Sequence, residues 1–140
     1  MAVTVSLVLL ATTACGLKHE RNTLPAEVES TIGTVSDDIA AERYEKIYNE
    51  GSDLWRRDAT LEQSIEVLKT LRSRLGKVEN RTLHSATEQQ NSGGPLSGNS
   101  WVVTYQTKFE RGEGMETFTL IEQNGRYLLA RYFVNSTALK

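Results

Sequence analysis

The chain has 140 residues, a formal net charge of −2, and 39% hydrophobic and 24% charged side chains. That length suits one globular domain with short extras, and the charge leaves no broad basic field for nucleic acid. A single cysteine, Cys15, excludes an intramolecular disulfide and a cysteine-based metal centre.

Ala2 to Ala14 is an uncharged run of small and apolar residues. It is too short to span a bilayer as a helix, which takes about 20 residues. It has the length and character of the apolar core of a signal peptide. The following run, Ala11-Thr12-Thr13-Ala14-Cys15-Gly16, resembles the lipobox of bacterial lipoproteins. In that family the cysteine is lipidated and becomes the first mature residue. Thr12 stands where the family usually has Leu, and no Lys or Arg precedes the apolar run. The alternatives are an ordinary secretory signal cleaved near Ala14, or a buried N-terminal strand. Residues 1–15 are therefore expected to be a signal peptide with a lipobox-like end, with Cys15 as lipidation site.

Residues 16–35 are polar and mixed, and are expected to form a tether. Pro25 can open a short helix within it that reaches Ile32 and stops at Gly33. A domain of α+β type is expected over 36–135. Ser36, Asp37 and Asp38 supply a cap and favourable charge for an amphipathic helix running to Glu50. Ala40, Tyr44, Ile47 and Tyr48 recur on one face of it, and Gly51 ends it. A further turn of helix over Ser52 to Arg57 points Leu54 and Trp55 inward. Thr60 and Gln63 form a capping box for a helix to Leu75, with Leu61, Ile65, Leu68, Leu71 and Leu75 as its apolar stripe. Gly76 closes it.

Lys77 to Gln90 alternates with thin hydrophobicity, which suits an edge strand or a strongly curved one. Asn91 to Ser100 has the composition of a flexible loop. Trp101 to Val134 then reads as three strands and two tight turns. Asn124-Gly125 is a strong type I′ hairpin signal, because both central residues need positive φ. It sets Leu120 opposite Leu129 and Phe118 opposite Arg131. The other turn lies within Arg111-Gly112-Glu113-Gly114, and sets Glu110 opposite Met115. Alternation then gathers Trp101, Val103, Tyr105, Thr107, Phe109, Glu116, Phe118, Leu120, Glu122, Tyr127, Leu129, Arg131 and Phe133 on one face. That face must be covered, and the two helical stripes upstream are its natural cover. The opposite face carries Val102, Ile121, Leu128, Tyr132 and Val134, which is apolar enough to suggest a homodimer through the outer side of the sheet.

Helices followed by a four-stranded antiparallel meander give an α+β order. This arrangement resembles the cone-shaped fold of nuclear-transport-factor-2-like and cystatin-like domains. More closely, Tyr44 to Tyr48, Arg74-Leu75-Gly76, Val102 to Phe109 and Gly125-Arg126-Tyr127 resemble the packing and turn motifs of a bacterial secreted domain family of unknown function. The resemblance spans Ile39 to Val134 and carries fold more than function. That family offers no catalytic residues to transfer.

Glu116 and Arg131 share the aromatic face on neighbouring strands, diagonally within reach of each other, and Tyr105 lies on the same face. A carboxylate there can serve as a base, and Tyr105 can donate to an oxyanion. The competing reading is a solvated ion pair at the rim of the sheet. His19 and His84 have no partners at metal-ligand spacing, so neither a metal nor another cofactor is expected. The expectation is thus a non-enzymatic envelope lipoprotein domain, lipid-anchored to the outer membrane and facing the periplasm, that binds a protein or small ligand. The alternative is a small-molecule enzyme or carrier using the hollow between helices and sheet.

Overall fold

The computed structural model describes residues 17–140. Cys15 and the apolar run before it lie outside the described residues. Nine main elements follow in order: β1 (Leu17–Glu20), α1 (Ala26–Ala40), α2 (Tyr44–Glu50), α3 (Asp53–Asp58), α4 (Leu61–Leu75), β2 (Val78–Asn91), β3 (Gly98–Phe109), β4 (Gly112–Gln123) and β5 (Arg126–Ser136). The strands form one antiparallel sheet in the order β1-β2-β3-β4-β5. The class is α+β, as the sequence indicated, with the four helices ahead of the four-stranded meander. Among the described residues no helix is long and apolar enough to cross a membrane.

The helical region is divided differently from expectation. Val28, Ile32 and Val35 are buried and Ile39 packs beside them, so the apolar stripe starts well before Ser36. α1 therefore runs unbroken through Gly33, where an added Cβ would meet nothing. The residues expected to be a tether hold β1 and most of α1. The break falls instead at Glu42, whose φ of 59° is left-handed. Asp38 staples that break: its buried carboxylate accepts from Arg43 Nε and Lys46 Nζ, each at 2.7 Å, and its carbonyl accepts from the Arg43 N–H at 2.8 Å.

α3 and α4 follow the expected chemistry. Ser52 caps α3, accepting from Trp55 N–H at 3.4 Å, and its own N–H reaches the Leu129 carbonyl on β5 at 2.9 Å. Thr60 and Gln63 form the complete capping box. Trp55 donates its indole N–H to Ser64 Oγ at 2.9 Å, and Ser64 donates onward to the Thr60 carbonyl at 2.8 Å. This explains why a serine is buried on the inner side of α4.

In the meander, Asn124-Gly125 makes the anticipated turn, with φ of 54° and 74°. Trp101, Val103, Phe118, Leu120 and Leu129 are buried against Val28, Ile32 and Ile47 from the helices, so the aromatic face is the covered one. The β3–β4 turn is displaced. Phe109 pairs with Gly112, which leaves Glu110 and Arg111 as the loop. This keeps the same parity, so the faces survive. The end of α4 accounts for the displacement. Arg111 N–H donates to the Leu75 carbonyl and Glu110 N–H to the Lys77 carbonyl, both at 2.9 Å. The Arg111 guanidinium also reaches the Arg72, Ser73 and Arg74 carbonyls, satisfying helix-end acceptors. Gly112 and Gly114 serve close approach rather than the turn. A Cβ on Gly114 would lie 2.7 Å from the Asn135 carbonyl oxygen, and one on Gly112 would lie 2.9 Å from Ala138 Cβ.

The second correction is a bulge in β5. Leu120 pairs with Leu129, but Thr119 pairs with Arg131, which leaves Ala130 as an extra residue. Beyond it every side chain changes face. Phe118 faces Tyr132 rather than Arg131, and Tyr132 and Val134 turn toward the helices. Arg131 and Phe133 take the outer side, beside Thr119 and Thr117. The apolar outer face suggested for a homodimer thus loses Tyr132 and Val134, and gains Phe133, which is 54% exposed. β2 also carries two register shifts, between Val78 and Asn80 and between Leu83 and Ser85, and only Thr87, Glu88, Gln89 and Gln90 near its end pair with β1. These fit the expectation of a curved, partly edge-like strand.

Two outcomes test these assignments. Gly114→Ala should destabilise the domain by about 1–3 kcal/mol in urea titrations, because backbone must move to admit the methyl. Burial alone would raise the Asp38 carboxyl, but the hydrogen bonds and charges of Lys46 and Arg43 outweigh it and hold the group below its ordinary range. The contribution of Asp38 is then present at neutral pH and lost as pH falls through its lowered folded value. Asp38→Asn should therefore melt well below wild type at pH 7, by about 1–3 kcal/mol. The gap between the two should narrow in strongly acidic buffer.

Candidate functional site

The core of the meander holds one buried charged cluster. Glu116 on β4 is 0% exposed. Its Oε2 accepts from Arg81 Nε at 2.6 Å and from Thr107 Oγ1 at 2.8 Å. Its Oε1 accepts from Arg81 Nη2 at 2.8 Å and from the Tyr132 hydroxyl at 2.8 Å. The donors come from β2, β3 and β5, so each strand of the meander supplies one residue. A carboxylate offers about four lone-pair sites, and all four are filled.

Local structure explains each placement. Arg81 lies between the two β2 register shifts, opposite Thr107 and on the same face as Leu83. Glu116 lies opposite Tyr105 on one side and Val134 on the other. Tyr132 reaches the cluster because the Ala130 bulge turns it inward. Phe118 forms the apolar floor: its ring is 5.0 Å from that of Tyr132 and 6.0 Å from that of Tyr105, the latter edge-on at 88°. The Arg81 guanidinium carbon stands 5.8 Å from the Phe118 ring centre.

The electrostatics follow. Burial alone would lower Arg81, but hydrogen bonding to Glu116 and its charge more than compensate, so the guanidinium is held protonated. Burial pushes the Tyr132 phenol well above its usual value, and the negative charge and hydrogen bond of Glu116 push the same way. Burial also raises Tyr105, with Arg81 opposing.

The sequence expectation placed Tyr105, Glu116 and Arg131 together. The structure brings Tyr105 and Glu116 together and separates Arg131, which sits half-exposed and 3.7 Å from Asp58 on α3. The partner of Glu116 is Arg81. Nor is the pair a solvated one at the rim. Arg81, Thr107 and Tyr132 complete a cluster that alternation alone could not assemble. Thr107 was on the correct face. Tyr132 was hidden by the bulge. Arg81 was legible only by carrying the β3 register into β2, where it shares the parity of Leu83.

Arg81 and Tyr132 also belong to the wall of a cleft of about 380 Å³ between α1, α4 and the sheet. Its apolar lining includes Ile39, Leu68, Leu71, Leu75, Phe109 and Val134, and its charged lining is Arg72, Lys77, Arg81 and Asp37. A second groove, of about 600 Å³, runs between α3, α4 and β5 past Trp55, Val67, Ala130 and Phe133. Among the described residues no three His, Cys, Asp or Glu side chains converge as a metal site.

Removing one partner of a buried pair leaves the other uncompensated. Glu116→Ala should cost about 3–5 kcal/mol by urea titration. The double variant Arg81→Met with Glu116→Met should cost less than the sum of its two single variants. Strict additivity would show that the two side chains are not coupled.

No curated protein matches the chain. The family described as a protein of unknown function, DUF4019, matches residues 34–132, a span that contains Arg81, Thr107, Glu116 and Tyr132. The chain belongs to the DUF4019 family, and its four-strand cluster lies within the family's own region.

Proposed function

We propose that the chain is a cell-envelope lipoprotein whose α+β domain binds a small ligand in the cleft beside Arg81 and catalyses no reaction there. One observation carries binding over catalysis. The only carboxylate in the buried cluster, Glu116, has both oxygens fully engaged by four donors. A general base needs a free lone pair within reach of the proton it takes. Glu116 has none left, and its role is to fix Arg81 in place. The cleft volume of about 380 Å³ falls within the range of small-molecule sites, about 300–1,000 Å³.

Anchoring is supported by the apolar run from Ala2 to Ala14 and the lipobox-like residues ending in Cys15. Gly16, a non-acidic residue after the cysteine, agrees with an outer-membrane destination facing the periplasm. Under this reading the domain stands close to the bilayer, because β1 begins at Leu17. The cone architecture of nuclear-transport-factor-2-like domains is supported by the bent β2 and β5 around α1.

Two measurements test the reading. Mass spectrometry of the protein from its native envelope should find diacylglycerol on Cys15, and a soluble mature chain starting elsewhere would remove the anchor. Native mass spectrometry of the full chain from the same envelope should show an added small mass. Ala40→Trp, on the cleft wall, should lose that mass, and a bare chain in wild type and variant alike would count against a ligand.

A further inference from the structure

We infer that the cleft ligand is a small amphipathic anion, an apolar body headed by a carboxylate. This rests on the reading of the cleft as a binding site. The argument begins with the hydrogen-bond inventory of Arg81. A guanidinium has five N–H donors in a fixed planar fork. Glu116 takes one from Nε and one from Nη2, which together form the side edge of the fork. The other edge, between Nη1 and Nη2, has no acceptor among the described residues. It has the two-pronged geometry that a second carboxylate matches.

The free edge of Arg81 lies at the boundary between the buried cluster and the cleft. The side chain is only 20% exposed, and it forms part of the cleft wall. A guanidinium left short of acceptors at a mostly buried position favours an anionic partner. The charge of the wall agrees, since Arg72, Lys77 and Arg81 outnumber Asp37 and the Glu116 carboxylate that pairs with Arg81. Neither Arg72 nor Lys77 makes a side-chain ion pair among the described residues. The α4 carbonyls that would repel an anion at this end are engaged by Arg111. The rest of the lining, Ile39, Leu68, Leu71 and Phe109 among it, suits a hydrocarbon body. A small inorganic anion would leave that surface unused. A neutral hydrocarbon would leave the guanidinium edge unpaired.

The test is calorimetric titration of the full chain, held in amphipol, with octanoate, octanol and acetate. Octanoate should bind about tenfold or more tightly than octanol, which lacks the charge, and than acetate, which lacks the body. Ala40→Trp should abolish the octanoate heat. Arg81→Lys keeps the charge opposite Glu116 but removes the fork, and should weaken octanoate about tenfold while leaving octanol unchanged. Arg72→Gln, away from the buried pair, should weaken octanoate by a few-fold, and keeps the proposal testable if the lysine variant does not fold. Equal affinity for octanoate and octanol would overturn the anion while leaving the cleft as a binding site. Silence with all three probes would overturn both.

Discussion

The fold depends on how one carboxylate is buried. Glu116 sits at zero exposure in the middle of the sheet, where an unpartnered charge would cost several kcal/mol or more. The solution draws one donor residue from each of the other meander strands: Arg81, Thr107 and Tyr132. None of the three can move without leaving an oxygen short. Hydrophobic packing against α1 and α4 supplies most of the stabilisation. The cluster contributes something different, the alignment of four strands relative to one another. A slip of one residue in any of them would carry a donor to the wrong face.

The β5 bulge belongs to the same solution. Without the extra residue at Ala130, Tyr132 would point outward and Arg131 inward. A second guanidinium would then compete for a carboxylate that Arg81 already grips on two oxygens, and the phenol that closes the cluster would be missing. Arg131 is instead outside, near Asp58, where water solvates it. Closure at the far end of the sheet comes from another mutual arrangement. The Glu110-Arg111 turn and the end of α4 satisfy each other's backbone groups. This fixes the angle at which the helix lies across the strands, and so the width of the cleft between them.

Much of this was legible in the residues. The helix starting at Thr60, the Asn124-Gly125 turn and the identity of the covered face follow from local chemistry and alternation. The β3–β4 turn was misplaced because glycines were read as turn residues. Gly112 and Gly114 are small because the C-terminal segment presses on them, a tertiary contact invisible to local reading. The start of α1 was missed because Gly33 and Pro25 look like punctuation, whereas Val28, Ile32 and Val35 supply the burial that overrides a glycine. Half of the site was visible, in Tyr105 and Glu116. Arg81 was not, because its place depends on how β2 pairs with β3 across a loop, and Tyr132 was not, because a single inserted residue inverts parity without any composition signal. Ala130 resembles any other strand alanine.

That inserted residue divides the last strand into two segments running out of phase. Arg126–Leu129 answers to α1 and the Asn124-Gly125 turn, while Tyr132–Ser136 answers to the buried acid and the cleft. Chain length at this point is thus a phase setting, separate from amino-acid identity. Two members of the family could differ widely in side chains on either segment and keep the same interior. A member with one residue fewer here would present a different wall to whatever enters between helix and sheet, even with every other position unchanged.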